Sequence, residues 1–128
     1  MHAYSALSLM LAAAGLASAA LPKANEYKSD DCSGALNYGH HSFDLHTVTM
    51  DDTSNSVYQD GTRWYVFDGK TSNGGTCKGK FLGQLKASTL GSCLNLNTVS
   101  PGYRVRCLCN PLAGATKGIN SCQYMGTS

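Results

Sequence analysis

Beyond residue 20 the apolar positions never settle into a helical repeat; they come in short runs, broken by turn-forming residues roughly every eight to twelve positions. That rhythm predicts an all-β chain. Strands are expected at Leu36–Tyr38, Phe43–Met50, Ser56–Gln59, Arg63–Phe67, Lys80–Lys86, Cys93–Leu96 and Tyr103–Cys109. Turns are expected at Asp60-Gly61, Asp68-Gly69, Asn73-Gly74-Gly75 and Pro101-Gly102, where glycine takes a positive φ without steric cost. The stretch Phe81 to Leu90 is ambiguous, because FLGQLKAST also suits a short helix. In the run Arg63 to Phe67 (RWYVF), Trp64 and Val66 fall on one face and the aromatics Tyr65 and Phe67 on the other. A strand apolar on both faces predicts a sandwich.

Ahead of these runs lies an apolar segment, Ala6 to Ala20, ending in small residues that fit an A-x-A cleavage pattern. Residues 1–20 are therefore expected to be a secretory signal peptide, being too short for a membrane span. The remainder amounts to a single domain, expected over 21–110, with a glycine-rich tail at 111–128 pinned by Cys122. All six cysteines (Cys32, Cys77, Cys93, Cys107, Cys109 and Cys122) lie past the leader. An even count in a small exported chain predicts three disulfides in an extracellular setting, with fifteen pairings open. Zinc binding would need paired C-x-x-C spacing, and only Cys107-x-Cys109 is present. In an extended strand Tyr103, Val105, Cys107 and Cys109 share a face while Arg104 and Arg106 take the other, so the two cysteines should bond to separate partners.

Charge divides the chain. Residues 21–68 hold eight acids against three Lys or Arg, a net of −5, whereas residues 69–128 hold seven Lys or Arg and no acid, a net of +7. Either strands of opposite sign pair in the fold, or a basic face meets an anionic partner. The candidate face is Lys70, Lys78, Lys80, Lys86, Arg104 and Arg106, with Arg104 and Arg106 expected to be exposed together. No basic run with interleaved aromatics points to nucleic acid.

The chain also repeats itself. YKSDDCSG (Tyr27 to Gly34) has an aromatic, four residues, then Cys-x-Gly; YVFDGKTSNGGTCKG (Tyr65 to Gly79) has the same ends around a longer middle. Ser56 follows Gly34 by 22 residues, and Ser100 follows Gly79 by 21. This pattern resembles the βγ-crystallin family, whose Greek-key motif runs aromatic, four residues, aromatic, x, Gly, then a serine about twenty residues on. NSVYQDGTRWYVFDG (Asn55 to Gly69) looks like that family's passage from one motif into the next. Cys32 and Cys77 stand where the second aromatic would be, and the second unit has seven extra residues. The resemblance implies two Greek keys forming a small disulfide-stapled β-sandwich. In it Gly34 and Gly79 permit folded-over hairpins, and the hydroxyls of Ser56 and Ser100 tie them down.

Many members of that family bind calcium through N/D-N/D-x-x-S/T-S. Asp51 to Ser56 (DDTSNS) fits except at Asn55, so Asp51, Asp52 and Asn55 are candidate ligands for at most one weakly bound calcium; Asn95 to Ser100 is degraded at two places. NYGHHSFDLH (Asn37 to His46) gathers His40, His41, His46 and Asp44, which suggests metal or proton chemistry. If extended, however, the run spreads His40 and His46 about 20 Å apart, too far for one ion. Catalysis finds little footing: Glu26 is the only glutamate and the adjacent acid pairs alternate faces. Neither G-x-S-x-G nor H-E-x-x-H occurs. The expectation is a secreted, monomeric, non-enzymatic protein needing no cofactor. It would bind an anionic membrane, a cell-wall polysaccharide or a host protein, as antimicrobial proteins, killer toxins or effectors do. The alternatives are a calcium-binding structural or stress protein and a small secreted hydrolase such as a ribonuclease.

Overall fold

The computed structural model describes residues 21–112 and Cys122; the expected signal peptide and most of the tail lie outside them. Eight strands run through the described residues: β1 Lys23–Tyr27, β2 Leu36–Tyr38, β3 Thr47–Thr49, β4 Ser56–Asp60, β5 Tyr65–Lys70, β6 Cys77–Gln84, β7 Ser92–Asn95 and β8 Cys107–Cys109. They form two four-stranded antiparallel sheets, ordered β2-β1-β4-β7 and β3-β8-β5-β6. Each sheet takes three strands from one half of the chain and its fourth, at an edge, from the other half. The result is two Greek keys that exchange a strand across an all-β sandwich, stapled by three disulfides.

The register exposes a pseudo-twofold relation. Tyr27 pairs with Ser56 in the first half and Phe67 with Cys107 in the second, while Asn55 N–H donates to Tyr27 O as Arg106 N–H donates to Phe67 O. Inward residues of both sheets, among them Trp64, Val66, Val57, Val48, Leu96 and Leu108, make one core. At roughly 25 cal/mol per Å² removed from water, this cluster is the main source of stability. On the opposite face of the second sheet Phe67 packs with Cys77, Cys107, Cys109, Cys122 and Tyr65, so β5 is covered on both sides.

The disulfides are Cys32–Cys93, Cys77–Cys107 and Cys109–Cys122, so Cys107 and Cys109 do bond to separate partners. Cys32–Cys93 joins the β1–β2 connection to β7, a strand of the other half. Cys77–Cys107 joins β6 to β8 although β5 lies between them, because the β5–β6 hairpin folds over the sheet. Gly79 in that hairpin has φ +82°, and a Cβ there would run into the Asp68 carboxylate, so the residue must be glycine. Gly34 shares the positive φ, at +80°, but has open space around it.

The latch differs between the halves. Ser56 Oγ donates to Ser29 O at 2.6 Å and accepts from Cys32 N–H at 2.8 Å, pinning the first hairpin. In the second half the position equivalent to Ser56 is held by Cys107, and its covalent bond to Cys77 does the same work. Ser100 is not the second latch; it sits in a turn, its carbonyl accepting from Tyr103 N–H.

Other expectations shift too. Phe43 is 82% exposed in a turn, and only Thr47–Thr49 of the long run expected there is strand. β8 starts at Cys107, because Val105 turns into the inter-sheet core rather than onto the cysteines' face. β1 went unanticipated: its inward residues are Ala24 and Glu26, which give no apolar alternation. The ambiguous stretch from Phe81 divides between β6 and a single 3₁₀ turn, Ala87–Thr89.

Removing the hydroxyl latch orphans the Cys32 N–H and leaves the hairpin free to lift. Ser56→Ala should lower the unfolding free energy by about 1–3 kcal/mol, read from denaturant midpoints of the oxidised protein; an unchanged midpoint would mean the hydroxyl is dispensable.

Candidate functional site

The loop that leads from β3 into β4, Asp51 to Asn55, faces the longer loop between β7 and β8, because strand exchange places β3 beside β8 and β7 beside β4. From the longer loop Arg104 reaches into the shorter one. Its guanidinium donates to Asp52 Oδ1 at 3.2 Å, Asn55 Oδ1 at 3.3 Å, Asn97 Oδ1 at 2.7 Å and Asp51 O at 3.3 Å, and also to Ser54 O. Candidate calcium oxygens of the loop therefore surround a cation that the chain itself supplies. A planar guanidinium with five N–H groups suits such a ring of acceptors. The two loops are not alike in form, since residues 96–106 join β7 to β8 whereas residues 50–55 suffice between β3 and β4.

Arg104 is thus not on an open basic face; its side chain is only 16% exposed. Arg106 shares Asp52 with it at 3.3 Å and donates to Asp68 O. Lys70 Nζ donates to Met50 O at 2.7 Å. These three basic residues bind the halves together, which accounts for part of the charge division. Lys78, Lys80 and Lys86 differ. None of the three has an ion pair with an acid among the described residues, and all three are exposed. Lys80 Nζ lies 4.3 Å over the ring of Tyr103 and donates to its hydroxyl at 2.9 Å. Close by on β6, Phe81 is 48% exposed and stacks against Tyr65 and Phe67.

The histidines do not converge. His41 is exposed beside β1, where it forms an isolated bridge with Lys23. His46 lies by the Cys109–Cys122 bridge, its Nε2 3.6 Å from Cys109 Sγ. That histidine and the two sulfurs lie close enough for one ion, yet the sulfurs are bonded to each other and offer no thiolate. His40 meets Glu26, the carboxylate whose place near the expected leader made it look incidental. Glu26 is 1% exposed on β1; its Oε2 is 2.6 Å from His40 Nε2, and its Oε1 accepts from Ser54 Oγ at 2.7 Å. Asn37 donates to Ser54 Oγ at 2.9 Å and closes the network. The only available signal in the sequence was a lone glutamate among short strand-like residues.

His40 borders a cleft of about 230 Å³, with Tyr38, Thr49, Asp51, Asn73 and Gly74 as the other walls. The Asp51 carboxylate is held below its ordinary pKa by hydrogen bonds, first from the Thr53 hydroxyl, then from Thr53 N–H and the Tyr38 hydroxyl, with Lys70 adding its charge. No family model, curated protein or solved structure matches the chain.

Two outcomes are expected. A carboxyl with a lowered folded pKa stabilises fully above the ordinary carboxylate range and loses that contribution as pH falls through the folded value. Asp51→Asn should accordingly flatten the acid limb of a melting-temperature profile below about pH 4. Arg104→Ala strips its ring of acceptors and should cost about 1–3 kcal/mol. Millimolar Ca²⁺ should then raise the melting point of that variant while leaving the parent unmoved; a rise in the parent would show that the guanidinium does not own the loop.

Proposed function

We propose that the chain is a secreted, crystallin-like protein that acts by binding through its surface rather than by catalysis, in the manner of an antimicrobial protein, killer toxin or host-directed effector. Support comes first from the edge strand β6, which carries Lys78, Lys80 and Phe81 with Tyr103 against Lys80, and from Lys86 two residues past its end; no described acid neutralises the three ammonium groups. Cations beside half-exposed aromatics suit the boundary of an anionic membrane or cell wall, where charge attracts and rings settle at the interface.

The three disulfides fit an oxidising compartment. Among the described residues no helix is long and apolar enough to cross a membrane, so attachment would be peripheral. The crystallin-like reading draws on the two strand-exchanging keys and the paired positive-φ glycines. The calcium alternative is weakened by Arg104, which already takes Asp52 Oδ1, Asn55 Oδ1 and the Asp51 carbonyl among the candidate oxygens. For the hydrolase alternative, Glu26 and His40 are adjacent, but Glu26 is enclosed and both its oxygens are engaged within the fold.

Reversing Lys78, Lys80 and Lys86 to Glu should cut co-sedimentation with phosphatidylserine-containing vesicles by about tenfold or more, since each such charge contributes on the order of 1 kcal/mol near an anionic surface. Unchanged sedimentation of the folded variant would remove the basic edge from the proposal. Release of shortened fragments from RNA or oligosaccharide by the parent protein would overturn its non-catalytic half.

A further inference from the structure

Resting on the surface-binding role, we infer that the cleft beside His40 is a binding site for a single uncharged sugar ring of a polysaccharide. The walls come from three places: Tyr38 and His40 from β2 and the turn after it, Thr49 and Asp51 from the end of β3, Asn73 and Gly74 from the β5–β6 turn. The first belongs to one sheet and the other two to the opposite sheet, so the cleft exists only once the two units have docked.

The walls are fixed before any ligand arrives. Gly74 N–H donates to Thr49 Oγ1 at 2.7 Å, Thr47 Oγ1 donates to Gly75 O at 3.0 Å, and Tyr38 Oη donates to Asp51 Oδ2 at 3.1 Å. Behind them Asn37, Ser54 and Glu26 form a chain of hydrogen bonds that ends on His40 Nε2. Enclosing a carboxylate is costly, and an apolar pair of equal volume would serve stability at least as well. The buried Glu26 instead fixes the orientation of the His40 ring.

Fixed groups with spare valence remain at this cleft. His40 Nδ1 and the Asn73 side-chain amide have no hydrogen-bond partner among the described residues, and the Asp51 carboxylate retains acceptor capacity beyond its Thr53 and Tyr38 bonds. Tyr38 is 46% exposed and offers an aromatic surface next to these polar groups. The volume lies below the roughly 300 Å³ at which sites for drug-sized ligands begin, so one compact ring is the natural occupant. Asp51 in the wall and Glu26 behind it disfavour an anion. No group of three metal-ligating side chains lies here among the described residues. A ring with hydroxyls around its rim and C–H bonds on its faces meets both the donors and acceptors and the tyrosine.

The test titrates the ¹⁵N-labelled, oxidised protein, without its leader, with laminaritriose, cellotriose and chitotriose. At least one trimer should shift the amides of Tyr38, His40, Asn73 and Gly74 saturably at millimolar concentration or below. Asn73→Ala and Tyr38→Ala, both at exposed positions, should weaken that binding about tenfold or more, with the melting temperature retained in Asn73→Ala; Tyr38→Ala also removes the hydroxyl bond to Asp51, and His40→Gln is the less secure variant because it disturbs the buried Glu26. Asn73→Ala should leave vesicle sedimentation intact, and the Lys78, Lys80, Lys86 reversal should leave the sugar shifts intact, so each idea can fail alone. No response to any trimer at millimolar concentration, or shifts confined to β6 and Tyr103, would overturn the cleft assignment.

Discussion

Neither half of this chain can complete a sheet by itself. β3 leaves the first unit to pair with β8, and β7 leaves the second to pair with β4, so every sheet is closed by a strand from the other unit. The exchange commits both inward faces to one core around Trp64, Val66 and Leu108, and it presses the loops after β3 and β7 against each other. The seat of Arg104 is a product of that contact, and the cleft beside His40 is a product of the docking that brings the β5–β6 turn to the end of β3, neither being a local motif.

Electrostatics depend on the same docking. An acidic first half and a basic second half would repel within themselves if they stood apart. Docked, Asp52 receives both Arg104 and Arg106, and Lys70 reaches Met50 O across the junction. Exposed pairs contribute little, and Asp52 is open to solvent, so the gain lies mainly in the enclosed carbonyl acceptors of Arg104. Among the described residues of the basic half, Lys78, Lys80 and Lys86 take no part in these links between the halves and have no acidic partner.

Much of the architecture was legible from residue pattern. The period-two run at Arg63 to Phe67 and most of the glycine turns are local signals that predicted an all-β sandwich, although the turn expected at Asp68-Gly69 lies within β5; the two Greek keys came from the family resemblance that the doubled Cys-x-Gly spacing carried. β1 was hidden because Glu26 takes an inward position that pattern reasoning reserves for apolar side chains. That same residue is the buried anchor of the cleft, so the failure of the pattern and the presence of a built polar network share one cause. Ser100 misled for a different reason. Spacing by count placed the second latch there, but the longer loop before β8 displaces the equivalent position to Cys107. The role of Arg104 was invisible, since all but one of its acceptors come from residues some fifty positions earlier.

The mixed fastening of the two hairpins has an outcome of its own. A hydroxyl and a sulfur bridge perform one mechanical task at equivalent points, yet only the bridge answers to electrons. In a thiol-rich medium the accessible Cys32–Cys93 bridge would be cut before the buried Cys77–Cys107 bridge, and the earlier hairpin would then hang on its hydroxyl while the later one stayed fastened. The molecule carries a direction of unravelling written into an otherwise symmetrical design.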